Sequence, residues 1–155
     1  MARLRSSLHK LRRFTSIGPK RRALLIEAAA SLACARAALI LIPFPRLARR
    51  IGRFVPPAEA KQATVIQPEH ELIAREVRWA VLRAAHHIPF KAVCLPQAIA
   101  ARMMLNRRGV SSVMHFGAAT GKENALDAHA WLDAAGVEIT GYPAAKNFAE
   151  IACFI

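Results

Sequence analysis

The chain has 155 residues, 54% of them apolar, with a mean hydropathy of +0.22 and a formal net charge of +13. That length suits one domain with an appendage, and so much apolar material excludes a disordered polycation. The charge is unevenly placed: residues 1–53 carry 13 Lys or Arg against the single acid Glu27, whereas the remainder holds 10 bases against 9 acids.

Residues 1–22 read as a basic tail, with Gly18-Pro19 breaking any helix begun within it. Ala23 to Pro43 is rich in Ala, Leu and Ile, is helical by propensity, and is about the length that crosses a hydrocarbon core, roughly 20 residues. Glu27 and Arg36 lie inside it, and each costs about 2.5–3.5 kcal/mol at mid-bilayer, so a buried or partner-docking helix is expected instead. A signal peptide is not expected, because the stretch carries charges and no clear cleavage site follows it. Arg46 to Arg53 forms a second basic segment, with Leu47, Ile51 and Phe54 as an apolar stripe. Such a piece is suited to peripheral contact with anionic lipid. The high charge also raises nucleic acid as a partner, but no zinc-finger pattern or aromatic RNA-binding signature accompanies it, and no nucleic-acid binding is expected.

Val55-Pro56-Pro57 closes the basic third, and Ala58 to Gln67 reads as a linker. Glu69 to His86 carries Leu72, Ile73, Val77, Ala80, Val81 and Ala84 at helical spacing, with Arg75, Arg78 and Arg83 toward water. Pro89 ends that helix. The run Cys94-Leu95-Pro96-Gln97 opens another, since Pro is tolerated only in a first turn, and Gly109 ends it. Cys94 therefore stands at a helix N-terminus, where the dipole and unpaired N–H groups favour a thiolate. Val110 to Ala118, Leu126 to Asp133 and Val137 to Tyr142 alternate as strands, giving helices followed by an antiparallel sheet and an α+β class.

A cysteine at a helix start facing a histidine on a nearby strand is the arrangement that thiol attack on a carbonyl requires. His129, between the small residues Ala128 and Ala130, is the best-placed imidazole. The plainer alternative is a cysteine serving as a small buried hydrophobe, which is the reading for Cys34 and Cys153. His115 reads as a strand residue, and His86-His87 as a helix terminus. Three cysteines without a CxxC pair, and six histidines without HExxH spacing, predict neither a disulfide framework nor a metal site.

The segment IPFKAVCLPQAIAARMMLNRRGV, then MHFGA, then LDAHAWLDAAGVEITG, resembles the transglutaminase-like B proteins of lasso peptide biosynthesis. These cysteine peptidases remove the leader from a ribosomally made precursor. The resemblance implies a papain/transglutaminase-like core, with helices packed on a small antiparallel sheet and an N-terminal helical extension at residues 23–60, the peptidase domain occupying 61–155. It maps the nucleophile onto Cys94 within CLPQ and the general base onto His129 within AHAW.

The family's orienting Asp is expected near Thr140 to Tyr142, where this chain has Thr-Gly-Tyr. Asp127, Asp133, Glu138, Asn147 or a backbone carbonyl remain as substitutes. Some B proteins carry a fused leader-recognition module of alternating strands, a pattern residues 1–60 do not show. The resemblance thus implies the stand-alone half of a split system in the cytoplasm. Its partners would be the lasso precursor peptide, a separate leader-recognition protein and an ATP-dependent lactam synthetase. No cofactor is expected on this chain, which has no phosphate-binding glycine loop. A non-catalytic adaptor of the same fold is the alternative.

Overall fold

A computed structural model of the protein describes residues 18–60, 67–120 and 126–155. The basic tail up to residue 17, residues 61–66 of the expected linker and residues 121–125 lie outside the described residues.

Helix α1 spans Pro19–Leu41 and begins at the proline itself, because a residue lacking an N–H forfeits no ladder bond in a first turn. Leu25, Ala28, Ser31, Leu32 and Ala35 are buried along one stripe, while Ile26, Ile40 and Leu41 on other faces stand in solvent. The helix is long and apolar enough to cross a membrane, yet this stripe is part of the protein's own core. Cys34 falls beside the stripe and is exposed, so the expectation of a core filler fails there.

Helix α2 (Phe44–Ile51) buries Leu47 and Ile51 and turns Arg49 and Arg50 outward, as its pattern predicts. Phe54 does not continue that stripe. It begins strand β1 (Phe54–Val55) and is exposed. The first part of the expected linker folds as a short helix, α3 (Pro57–Ala60), whose Ala60 is buried.

Helices α4 (Pro68–Ala85) and α5 (Cys94–Asn106) complete the helical layer. Ala28, Leu32 and Ala35 of α1 meet Ala74, Val77, Ala80 and Val81 of α4 and Ala98, Ala101, Met104 and Leu105 of α5 in one cluster. The many alanines let the helix axes approach closely, and each fully buried larger side chain contributes about 1.5–3 kcal/mol. Gly109, at φ +70°, lets the chain leave α5 in a left-handed conformation.

Strands β2 (Val113–Thr120), β3 (Leu126–Ala134), β4 (Val137–Thr140) and β5 (Ala149–Phe154) join β1 in an antiparallel sheet of order β1-β5-β2-β3-β4 among the described residues. Alternation divides it into two faces. Met114 and Leu132, with Phe116 and Phe154, pack against the helices. His115, Gly117, His129, Trp131 and Cys153 occupy the other face, set by the pairs His115↔Trp131, Gly117↔His129 and His115↔Cys153. β5 and β1 are the two strands that sequence pattern did not reveal.

Candidate active site

Cys94 is the first residue of α5 and is half-buried. Gln97 N–H reaches Val93 O as the first helical bond, at 3.4 Å, and the Gln97 side-chain amide donates to Ala92 O at 2.6 Å. One residue thus closes the first turn and ties down the segment leading into Cys94. Pro96 has no N–H, so Cys94 and Leu95 supply the N–H groups that helical geometry leaves without an intrahelical acceptor. Such groups can stabilise an oxyanion formed beside the sulfur.

His129 lies mid-strand in β3 and is half-buried on the face away from the helices. Its Nε2 is 2.7 Å from the carbonyl oxygen of Gly141. A carbonyl can only accept, so Nε2 carries the proton, and in the neutral ring Nδ1 is the basic nitrogen. Phe148 stacks on the ring at 4.9 Å and Trp131 flanks it at 6.1 Å, which fixes its plane. Of the substitutes weighed for the missing acid, it is the backbone carbonyl that contacts this imidazole. Asp133 instead accepts from the Tyr142 hydroxyl at 2.7 and 2.9 Å.

No hydrogen bond joins Cys94 to His129 among the described residues. α5 belongs to the layer packed on the first face of the sheet, and the imidazole to the second.

A second thiol and imidazole are in contact. Cys153 Sγ stands 3.4 Å from His115 Nδ1 and donates to Glu150 Oε1 at 2.8 Å. His115 Nδ1 is also paired with Glu150, and its Nε2 lies 3.4 Å from Asp133 Oδ2, an ion-pair contact without hydrogen-bond alignment. Burial opposes a charge on this ring, but the two carboxylates outweigh it and raise its pKa. Burial, and then the Glu150 carboxylate, push the Cys153 thiol up to about 12. Tyr142 is raised in the same way, by burial and by Asp133.

Cys153 is therefore a neutral thiol at physiological pH and a poor nucleophile. It is buried as expected, but hydrogen-bonded rather than a plain hydrophobe. Sequence reasoning missed this cluster because its members come from β2, β3 and β5, and the last of these strands was not recognised.

Residues 38–153 match the transglutaminase-like superfamily. No curated protein and no solved structure matches the chain significantly. The matched stretch runs from within α1 to the penultimate residue of β5, taking in Cys94, His129 and all but the last residue of the sheet. Superfamily members are typically Cys–His peptidases or transferases, and the α+β arrangement here, helices on a small antiparallel sheet, is that of such a domain. The chain belongs to the transglutaminase-like superfamily.

Proposed function

We propose that the protein is a cysteine peptidase that removes the leader from a ribosomally made lasso peptide precursor, with Cys94 as nucleophile and His129 as base. The observation that carries this reading is the contact of His129 Nε2 with Gly141 O, which presets the tautomer whose Nδ1 can take a proton. The position of Cys94 in the first turn of α5, beside unpaired N–H groups, supports it. So does membership of a superfamily built on thiol chemistry.

The steps follow from those atoms. Cys94 Sγ attacks the carbonyl at the leader–core junction, its proton passing to His129 Nδ1, and the N–H groups of Cys94 and Leu95 hold the resulting oxyanion. The carbon–nitrogen bond then breaks, and the core's amine leaves with the proton from His129. Water, deprotonated by the same imidazole, hydrolyses the leader thioester and restores the thiol. Catalytic contacts are often long in a substrate-free enzyme and tighten in the complex. Cys94 and His129 stand on opposite sides of the sheet, so this reading requires that the complex with the precursor and its leader-recognition partner rearrange the start of α5 and the sheet until thiol and imidazole meet.

The adaptor reading is favoured by one observation, the absence of a Cys94–His129 hydrogen bond among the described residues. A trapping experiment separates the two. A leader-derived peptide ending in a vinyl sulfone, added with the leader-recognition partner, is expected to alkylate Cys94 and to spare the exposed Cys34, as read by peptide mass spectrometry. Peptide bound without alkylation of Cys94 supports the adaptor.

A further inference from the structure

The sheet face away from the helices carries three metal-ligating side chains that the peptidase reading does not use. His115 Nδ1, a Glu150 carboxylate oxygen and Cys153 Sγ all lie within 4.8 Å of one another. In a regular strand Glu150 and Cys153, three residues apart, would point to opposite faces. They do not, because Phe116 pairs with Ala152 and Gly117 with Glu150, so that Ile151 is extra. A bulge of this kind re-aims one side chain, here the carboxylate, toward the histidine and the thiol.

We propose that His115, Glu150 and Cys153 form a binding site for a divalent transition metal, of which Zn2+ fits the donor set best. Thiolate, imidazole and carboxylate are the three zinc-ligand classes, and a tetrahedral ion separates its nitrogen and sulfur ligands by about 3.5 Å. The sulfur–nitrogen distance here is 3.4 Å. The sulfur–oxygen distance of 2.8 Å is that of a hydrogen bond. Binding releases the Cys153 thiol proton to solvent, takes His115 as the neutral ring that ligates through Nδ1 and keeps its one proton on Nε2, and opens the hydrogen-bond contacts of the Glu150 carboxylate with Nδ1 and Sγ.

The surroundings match a metal site's outer shell. His115 Nε2 is buried without a hydrogen bond, 3.4 Å from an oxygen of Asp133, itself held by the Tyr142 hydroxyl, so a small turn of the ring on metal binding gives Nε2 a carboxylate partner. The Trp131 indole lies parallel to the imidazole at 5.4 Å and fixes its plane. Three protein ligands leave a fourth position for water. The site is independent of Cys94 and does not rest on the peptidase reading.

The test is titration of chelator-treated protein with Co2+ alone. One equivalent is expected to produce the thiolate-to-cobalt charge-transfer band together with the visible bands of tetrahedral cobalt. Both should vanish in Cys153→Ser, persist in Cys34→Ala and Cys94→Ala, and require roughly 10–100-fold more metal in Asp133→Asn. Circular dichroism establishes that each variant is folded. If Cys153→Ser does not fold, Glu150→Gln decides, since its side chain is partly exposed and its loss should weaken binding. No thiolate band in the parent protein, a band that survives Cys153→Ser, or an unchanged affinity in Glu150→Gln overturns the proposal.

Discussion

The Nε2 of His129 donates to the carbonyl oxygen of Gly141 at 2.7 Å, so a main-chain dipole stands where the resemblance to lasso B proteins places a carboxylate. Gly141 has φ +88°, and a Cβ there would lie 2.5 Å from the Trp131 Cβ and 2.7 Å from the Ala130 oxygen. No side chain fits without displacing backbone. Position 141 itself thus has no room for an acid, and its peptide group orients the imidazole. A dipole fixes ring geometry, but it stabilises an imidazolium less than a full negative charge does.

Gly141→Ala is expected to destabilise the protein by about 1–3 kcal/mol from backbone strain, with further loss from crowding against Trp131. Urea unfolding followed by circular dichroism measures this. An unchanged midpoint would contradict the packing described. Gly141→Asp should behave no better, despite supplying the missing carboxylate.

Glu27 on α1 accepts from Arg108 Nη1 at 2.9 Å and from Arg107 Nε at 2.9 Å, tying α1 to the end of α5. The Arg108 hydrogen bond, reinforced by Arg107 and opposed by partial burial, lowers the Glu27 pKa. A lowered folded-state value means that the stabilisation is fully present above the unfolded carboxylate's range and is lost as pH falls from about 5 through the folded value. Glu27→Gln should cost about 1 kcal/mol at pH 7, an amount reduced by solvent screening of the arginines. The parent and variant urea midpoints should converge once the pH has fallen below the lowered folded-state value.

Leu32 is fully buried where α1 meets the rest of the core. Leu32→Ala should cost about 2–5 kcal/mol by opening a cavity. Thermal or urea unfolding of the two proteins provides the comparison. A loss below 0.5 kcal/mol would mean that α1 is a detachable segment rather than part of the fold.

Much of the helical layer was legible because helical spacing, Pro89, Pro96 and Gly109 mark the boundaries of α4 and α5. β3 was legible for the same kind of reason, its alternation being bounded by a turn at Ala135-Gly136. β5 was not, since Ala149 to Phe154 is one short strand whose alternation is broken by the bulge at Ile151. The His115–Glu150–Cys153 cluster was hidden with it, because these residues become neighbours only through the β2–β5 register. Cys34 was misplaced because its neighbours are apolar and the one-residue offset from the buried stripe cannot be read from composition. The contact of His129 with Gly141 was one of several possibilities in sequence, and only the path of the chain after β4 selects it.

In the proposed reaction Cys94 performs the chemistry. The most direct measurement is mass spectrometry of the precursor peptide after incubation with this chain and a leader-recognition partner, comparing the parent protein with Cys94→Ala and His129→Ala. A single cut at the leader–core junction is expected from the parent, with each variant slowed by at least about a thousandfold. Cleavage by Cys94→Ala at the parent rate would contradict it.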